Sequence, residues 1–270
     1  MFIPGLRSFP YGCLPLAAGG CLLVGLVVPY IIAVRLGHVY PILPFISDTG
    51  ALHPENCVFG QMLNLTSFFL VFIVYIRHKQ VTQEGPTELL EFNKASTLLG
   101  YTAALFISLV GNVQIDVNSQ HAIETEVHLF SAFMAFGGGL LFSLTQSWIT
   151  YKLADDFWSY SMAALRFTLT FAGVVFSVTL LEFRELANAE FNGTYAQTLH
   201  WNPHDGGYVN HVYSSVSEYM MGFILTALVL SLYKEFSAIK PPTGDKNNPV
   251  AKVAAKGDIE IARDSLVSSL

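Results

Sequence analysis

The sequence predicts an all-α integral membrane protein, a bundle of six transmembrane helices with both termini in the cytoplasm. Three observations lead there. Hydrophobic residues make up 52% of the chain and charged ones only 13%, far from the usage of soluble domains. Six apolar runs approach the roughly 20 residues needed to cross a bilayer, at about 14–34, 58–76, 95–114, 128–151, 162–181 and 212–233. The basic residues fall unevenly between the connecting segments. A net charge of -6 gives no ground for a nucleic-acid partner.

Taken in order, the first run follows Arg7 and resembles a secretory signal. Its apolar core is too long and Pro29-Tyr30 is a poor cleavage site, so it reads as a retained anchor. A polar island follows. Pro41 and Pro44 block regular structure, and Ser47-Asp48-Thr49-Gly50 is turn chemistry, with Asp48 placed to bond the backbone ahead of it. His53-Pro54-Glu55 then opens the second span, with proline at the first position and a carboxylate at the positive end of the dipole. Gly100 and Gly111 in the third span, with Gly137-Gly138-Gly139 in the fourth, permit close helix approach. A second island, with His200-Trp201-Asn202-Pro203 at its head, precedes the sixth span. The two islands are expected on one face of the bundle. The transmembrane domain is placed at 1–236. The tail, 237–270, reads as mostly disordered from its polar composition, with one short helix around 250–263.

Six spans put both termini on one side. With that side cytoplasmic, twelve basic residues lie inside and only Arg35 and Arg184 outside, as the positive-inside rule requires. Asn192-Gly193-Thr194 is a glycosylation sequon in the long outer loop this topology creates, whereas Asn64-Leu65-Thr66 lies within the second span. Three cysteines make no disulfide framework, and Cys57 reads as a small buried hydrophobe.

An ionisable residue within a span is a functional candidate because a charge there costs at least about 3 kcal/mol. Glu218 is the clearest. His211, Ser214, Ser215 and Glu218 share one helical face, and His121, Glu124 and His128 repeat that geometry. With Asn64 and Asn112, the residues His128, His211 and Glu218 form the expected polar cluster near the outer side. It reads as interhelical hydrogen bonding, as a pocket for a headgroup or ion, or as a metal site. No HExxH or tight ligand pair supports the last, and neither catalytic residues nor cofactors are assigned. Glu218 is expected to point inward and bond a polar side chain, with Asn112 and His128 the first choices. Seven of the eight histidines lie on or near the outer face, where protonation at acidic pH would offset much of the acidic charge there.

Pro44-Phe45-Ile46-Ser47-Asp48-Thr49-Gly50 with Pro54-Glu55 and Phe59-Gly60, and His200-Trp201-Asn202-Pro203 followed by Tyr208-Val209 and His211, resemble the damage-regulated autophagy modulator family. Smaller matches are Tyr75-Ile76-Arg77, Gly111-Asn112 with Gln114, Val127-His128 and Ser217-Glu218. The resemblance runs from about residue 10 to 236. It implies a six-span protein of lysosomal and related endomembranes that promotes autophagy and can influence cell death, and the sequon at Asn192 marks this chain as a glycoprotein. The wider superfamily resembles factors of glycosylphosphatidylinositol-anchor maturation and membrane-lipid organisation.

The expectation is therefore a non-enzymatic modulator acting through membrane lipids and membrane or cytosolic proteins. Three alternatives stand beside it: a lipid-binding or lipid-moving protein, a channel or transporter subunit, and a metal-dependent lipid hydrolase. Tyr233-Lys234-Glu235-Phe236 fits a tyrosine-based sorting signal, although an aromatic at a membrane exit also serves as an interface anchor. Ser268-Ser269-Leu270 offers a carboxylate to a PDZ-type groove.

Overall fold

A computed structural model describes residues 10–118 and 121–239, apart from the side chain of Glu84. The tail helix expected at 250–263 and the terminal Ser268-Ser269-Leu270 lie outside the described residues. Helix α1 spans Cys13–Leu36, α3 Glu55–Glu84, α4 Leu90–Asn112, α5 Ile123–Lys152, α6 Phe157–Glu190 and α7 Tyr208–Leu230. All six are long and apolar enough to cross a membrane. Two short helices complete the set, α2 at Ile46–Thr49 in the first island and α8 at Tyr233–Ser237 after the last span. Most helices run past their apolar cores, since a 30-residue helix such as α3 is about 45 Å long and reaches through both interfaces.

The helices pack as a closed ring in chain order: α1 against α3, then α4, α5, α6 and α7, with α7 returning to α1. Short connections make each neighbour antiparallel. Residues 10 and 239 consequently share one end, called here the termini end, and both islands share the other, the loop end. Helix α6 is the least buried span and braces α5 and α7 from outside. Glycines set the seam between α3 and α4. A Cβ added at Gly60 would lie 2.5 Å from the Gly111 carbonyl oxygen, and one at Gly111 only 3.1 Å from that of Gly60, so two backbones touch where only glycine fits. Gly100 is also tightly packed, against Val74 and Phe142, whereas Gly137 faces open space and permits no close approach.

At the termini end, α8 folds back onto the bundle. Phe236 is 0% exposed and packs with Tyr11, Leu14 and Leu232. Arg166 is 2% exposed and pairs with Glu235 at 2.7 Å. Its guanidinium also donates to Thr150 Oγ1, Ser231 Oγ and the Ser231 carbonyl. Beside it, Arg77 donates to Gln146 Oε1 and Gln80 Oε1, and Gln146 passes the chain on to Ser96 Oγ. These two arginines, counted in the sequence among the basic residues of the cytoplasmic side, are buried and hydrogen-bonded. The multidentate guanidinium suits this use, since it fills several acceptors from one buried position.

Candidate functional site

The loop end is built from the two islands and the caps of α6 and α7. The first island is stapled at several points. His38 Nδ1 pairs with the buried carboxylate of Glu55, the first residue of α3. Tyr30 Oη donates to the Pro41 carbonyl, and the Tyr40 N–H donates to Leu199 O in the second island over 2.8 Å. The second island closes on itself around Trp201, which is 2% exposed. Asp205 Oδ2 accepts from both the backbone and side-chain nitrogens of Asn202, and Trp201 Nε1 donates to Gly206 O. His200 and Pro203 stay at the surface. Gly207 starts α7 with φ +75°, a left-handed conformation that favours glycine.

The islands meet at His211. Its ring stacks on Trp201 at 4.5 Å between centroids and takes Phe45 edge-on at 4.8 Å. The Arg184 guanidinium lies 5.3 Å over the opposite partner ring, Phe45. Thus His211 is a packed element of the island interface.

Beneath this layer sits a pair of buried carboxyls. Glu218 is 9% exposed, and its Oε2 accepts the N–H of Ile46 over 2.7 Å. Asp48 accepts the N–H of Phe45. Two carboxyls therefore satisfy the first turn of α2, an arrangement the positive helix end favours. Burial, reinforced by the Glu218 charge, pushes Asp48 up to about 7, against the pull of Arg184 and the Phe45 hydrogen bond. Within the same turn Thr49 Oγ1 donates to Ile46 O, while Gly50 lies flat against Phe59. Ser47 alone of the four turn residues is only half-buried.

Glu218 points into the bundle as expected, but its partner is a backbone amide of the first island and not Asn112 or His128. Asp48 likewise bonds the backbone behind it, not ahead. His128 Nδ1 meets the Val113 carbonyl at 2.6 Å. Asn64 and Asn112 form a two-way amide clasp at 3.0 Å in each direction, joined by Ser108, on the outer surface of the α3–α4 seam. The expected polar cluster is accordingly three separate features: the clasp, the His211 aromatic layer, and an inward pair of Glu218 and His128. His121 lies ahead of α5 and is exposed, as is Glu124. Cys57, expected to be buried, is exposed, with Sγ 3.5 Å from His53 Nδ1. Asn192 is exposed ahead of a capping box formed by Thr194 and Gln197. Tyr233 is nearly half-exposed but Phe236 is fully buried, so the sorting reading requires α8 to leave the bundle.

The inward pair roofs a cavity of about 110 Å³ along the bundle axis. Its walls come from α1, α3, α4, α5 and α7 and are apolar for most of their length, with Ser47, His128 and Glu218 at the loop end. Such a cavity excludes water and favours apolar guests. Among the described residues, no group of three or more His, Cys, Asp or Glu side chains is placed to hold a metal ion. Sequence reasoning found Glu218 and His128 but not the cavity, which needs the ring closure between α1 and α7.

Comparison with known proteins places this architecture. A domain described as Frag1/DRAM/Sfk1/Cwh43P N-terminal matches residues 10–239. The chain is 34% identical over 213 residues to DNA damage-regulated autophagy modulator protein 2 of Bos taurus, covering 78% of each. It is 30% identical over 216 residues to DNA damage-regulated autophagy modulator protein 1 of Homo sapiens, covering 79% of this chain and 85% of that one. Modulator of macroautophagy TMEM150B of Danio rerio is 38% identical over 130 residues, 47% of this chain and 53% of the relative. No solved structure matches. The span of the domain match and the identity over most of the chain establish that this protein belongs to the Frag1/DRAM/Sfk1/Cwh43P family, within its damage-regulated autophagy modulator branch.

Proposed function

We propose that this chain is a multi-pass modulator of autophagy in lysosomal and related endomembranes, acting through membrane lipids and protein partners and not by catalysis. Its termini face the cytoplasm and its two islands face the lumen. The relatives named as autophagy modulators support the first part. The observation that carries the lipid part is the axial cavity, an apolar tube with a polar roof. Its walls suit an apolar chain better than a permeating ion, which needs polar groups along its path. The protein partners are expected at exposed surfaces of either end.

The test is rescue. Cells depleted of this protein should show reduced autophagic flux under starvation, measured as lysosomal turnover of a lipidated autophagosome marker. Wild-type chain should restore it from a lysosomal location, and Ala135→Phe, which fills the cavity from α5, should restore it poorly. Unchanged flux on depletion would remove the autophagy reading, and full rescue by a folded Ala135→Phe protein would remove the lipid part.

A further inference from the structure

The axial cavity has both a length and a polarity. Along α5 its lining runs from His128 to Ser143, and along α7 from Glu218 to Val229. At 1.5 Å per residue these are about 22 and 16 Å. One leaflet of a bilayer's hydrocarbon is about 15 Å deep, so a single lipid chain matches this length.

The roof decides the headgroup. His128 Nδ1 faces a carbonyl oxygen, which only accepts, so Nδ1 carries the proton. Nε2 is then the acceptor nitrogen of a ring that lines the loop end of the cavity. That nitrogen is buried and has no partner among the described residues. Glu218 brings a carboxyl to the same end. Both groups accept hydrogen bonds, and a buried acceptor left empty is costly. A carboxylate or phosphate head would bring further acceptors and a like charge to this roof, whereas a donor head satisfies it.

We propose that the axial cavity binds a single-chain lipid with a protonated amine head, a long-chain amine, whose nitrogen donates to Glu218 and His128 while its tail runs along α5 and α7. This rests on the lipid part of the proposed function and names its ligand class.

The probes are photoreactive, diazirine-bearing analogues of hexadecylamine and of hexadecanoic acid, offered to the full chain in nanodiscs of neutral phospholipid. The amine should label peptides of α5 and α7 saturably, be displaced by plain hexadecylamine, and outcompete the acid. Glu218→Gln keeps an acceptor for Ile46 but loses the charge, and should weaken amine labelling about tenfold. His128→Phe should weaken it similarly, and Ala135→Phe should abolish it while the protein stays monodisperse. Equal labelling by amine and acid, no saturable labelling, or labelling that Ala135→Phe leaves intact would each overturn the proposal. The cellular rescue is read separately. Labelling abolished by Ala135→Phe with full cellular rescue keeps the site and removes its role in autophagy, while absent labelling removes the site whatever the rescue shows.

Discussion

Replacing Glu218 by alanine removes the acceptor that holds the first turn of α2 from 172 residues away in sequence. The Ile46 N–H then has no partner in a buried position, and losing a hydrogen bond to a charged group costs about 1.5–3 kcal/mol. Truncation also widens the axial cavity by the lost methylene and carboxyl, which adds about 1 kcal/mol. Against this stands relief for Asp48, which no longer faces a second buried charge, worth about 1 kcal/mol at a screened separation. The net expectation is a loss of about 1.5–3 kcal/mol for Glu218→Ala. Glu218→Gln keeps an acceptor for Ile46 and should stay within about 1 kcal/mol of wild type. The assay is thermal unfolding of purified protein in detergent, read by the fraction remaining monodisperse after heating, with each variant compared under one condition. Alanine and glutamine variants that melt together with wild type would refute the reasoning. A glutamine variant as damaged as the alanine one would show that charge, and not the acceptor, holds the island.

Other outcomes follow from the same geometry. Asp48 titrates near 7 when folded and near 3.8 when exposed, so the folded state binds the extra proton between those values. Its contribution to stability is full below about pH 4 and is lost as pH rises through 7. Wild type should therefore be about 2 kcal/mol more stable at pH 5 than at pH 7 from this group, and thermal melts of Asp48→Asn should show that increment gone. Arg166→Leu strands Glu235 in a mostly buried position, and should cost about 3 kcal/mol, most of it recovered in the double variant Arg166→Leu/Glu235→Leu. A double variant no better than the single would exclude the ion pair as the cause. The proposed orientation predicts that Asn192→Gln removes a glycan-dependent shift in gel mobility, and that a tag after Leu270 resists external protease until the cytoplasmic face is opened.

The six spans were legible because a bilayer imposes one simple demand, a sufficiently long apolar helix, on every element that crosses it. The shared end of the two islands followed from the same alternation. The buried arginines were missed for two different reasons. Arg166 lies inside the apolar run 162–181, so its position carried a signal that the count of basic residues obscured. Arg77 sits just past an apolar run, and nothing local tells that α3 continues to Glu84 and keeps it against Gln146. The partner of Glu218 was beyond reach in another way. A side-chain pattern points to side-chain partners, and a backbone N–H exposed by a turn leaves no mark in residue identity. Asn64 and Asn112 were correctly seen as polar and near the same depth, but which face of α3 and α4 they occupy depends on the Gly60–Gly111 contact.

Glu218 belongs to two structures at once, and this gives the loop end a physical tie to the bundle axis. On one side it closes the turn of α2 through Ile46, and Ile46 itself lines the axial cavity. On the other it contributes a carboxyl to the roof of that cavity. A guest that draws the carboxyl toward itself competes with the Ile46 N–H, and one that leaves that bond in place adds to the order of the island. In either case occupancy of the cavity and the state of α2 share one free energy, so each must influence the other. The islands are held mainly by the aromatic layer of Phe45, Trp201 and His211 and by the Tyr40 contact to Leu199. Loosening α2 therefore changes how Phe45 meets His211 without unfolding the second island, whose own Asn202–Asp205 bonds remain. Side chains already in contact thus join the axial cavity to the aromatic layer of the loop end.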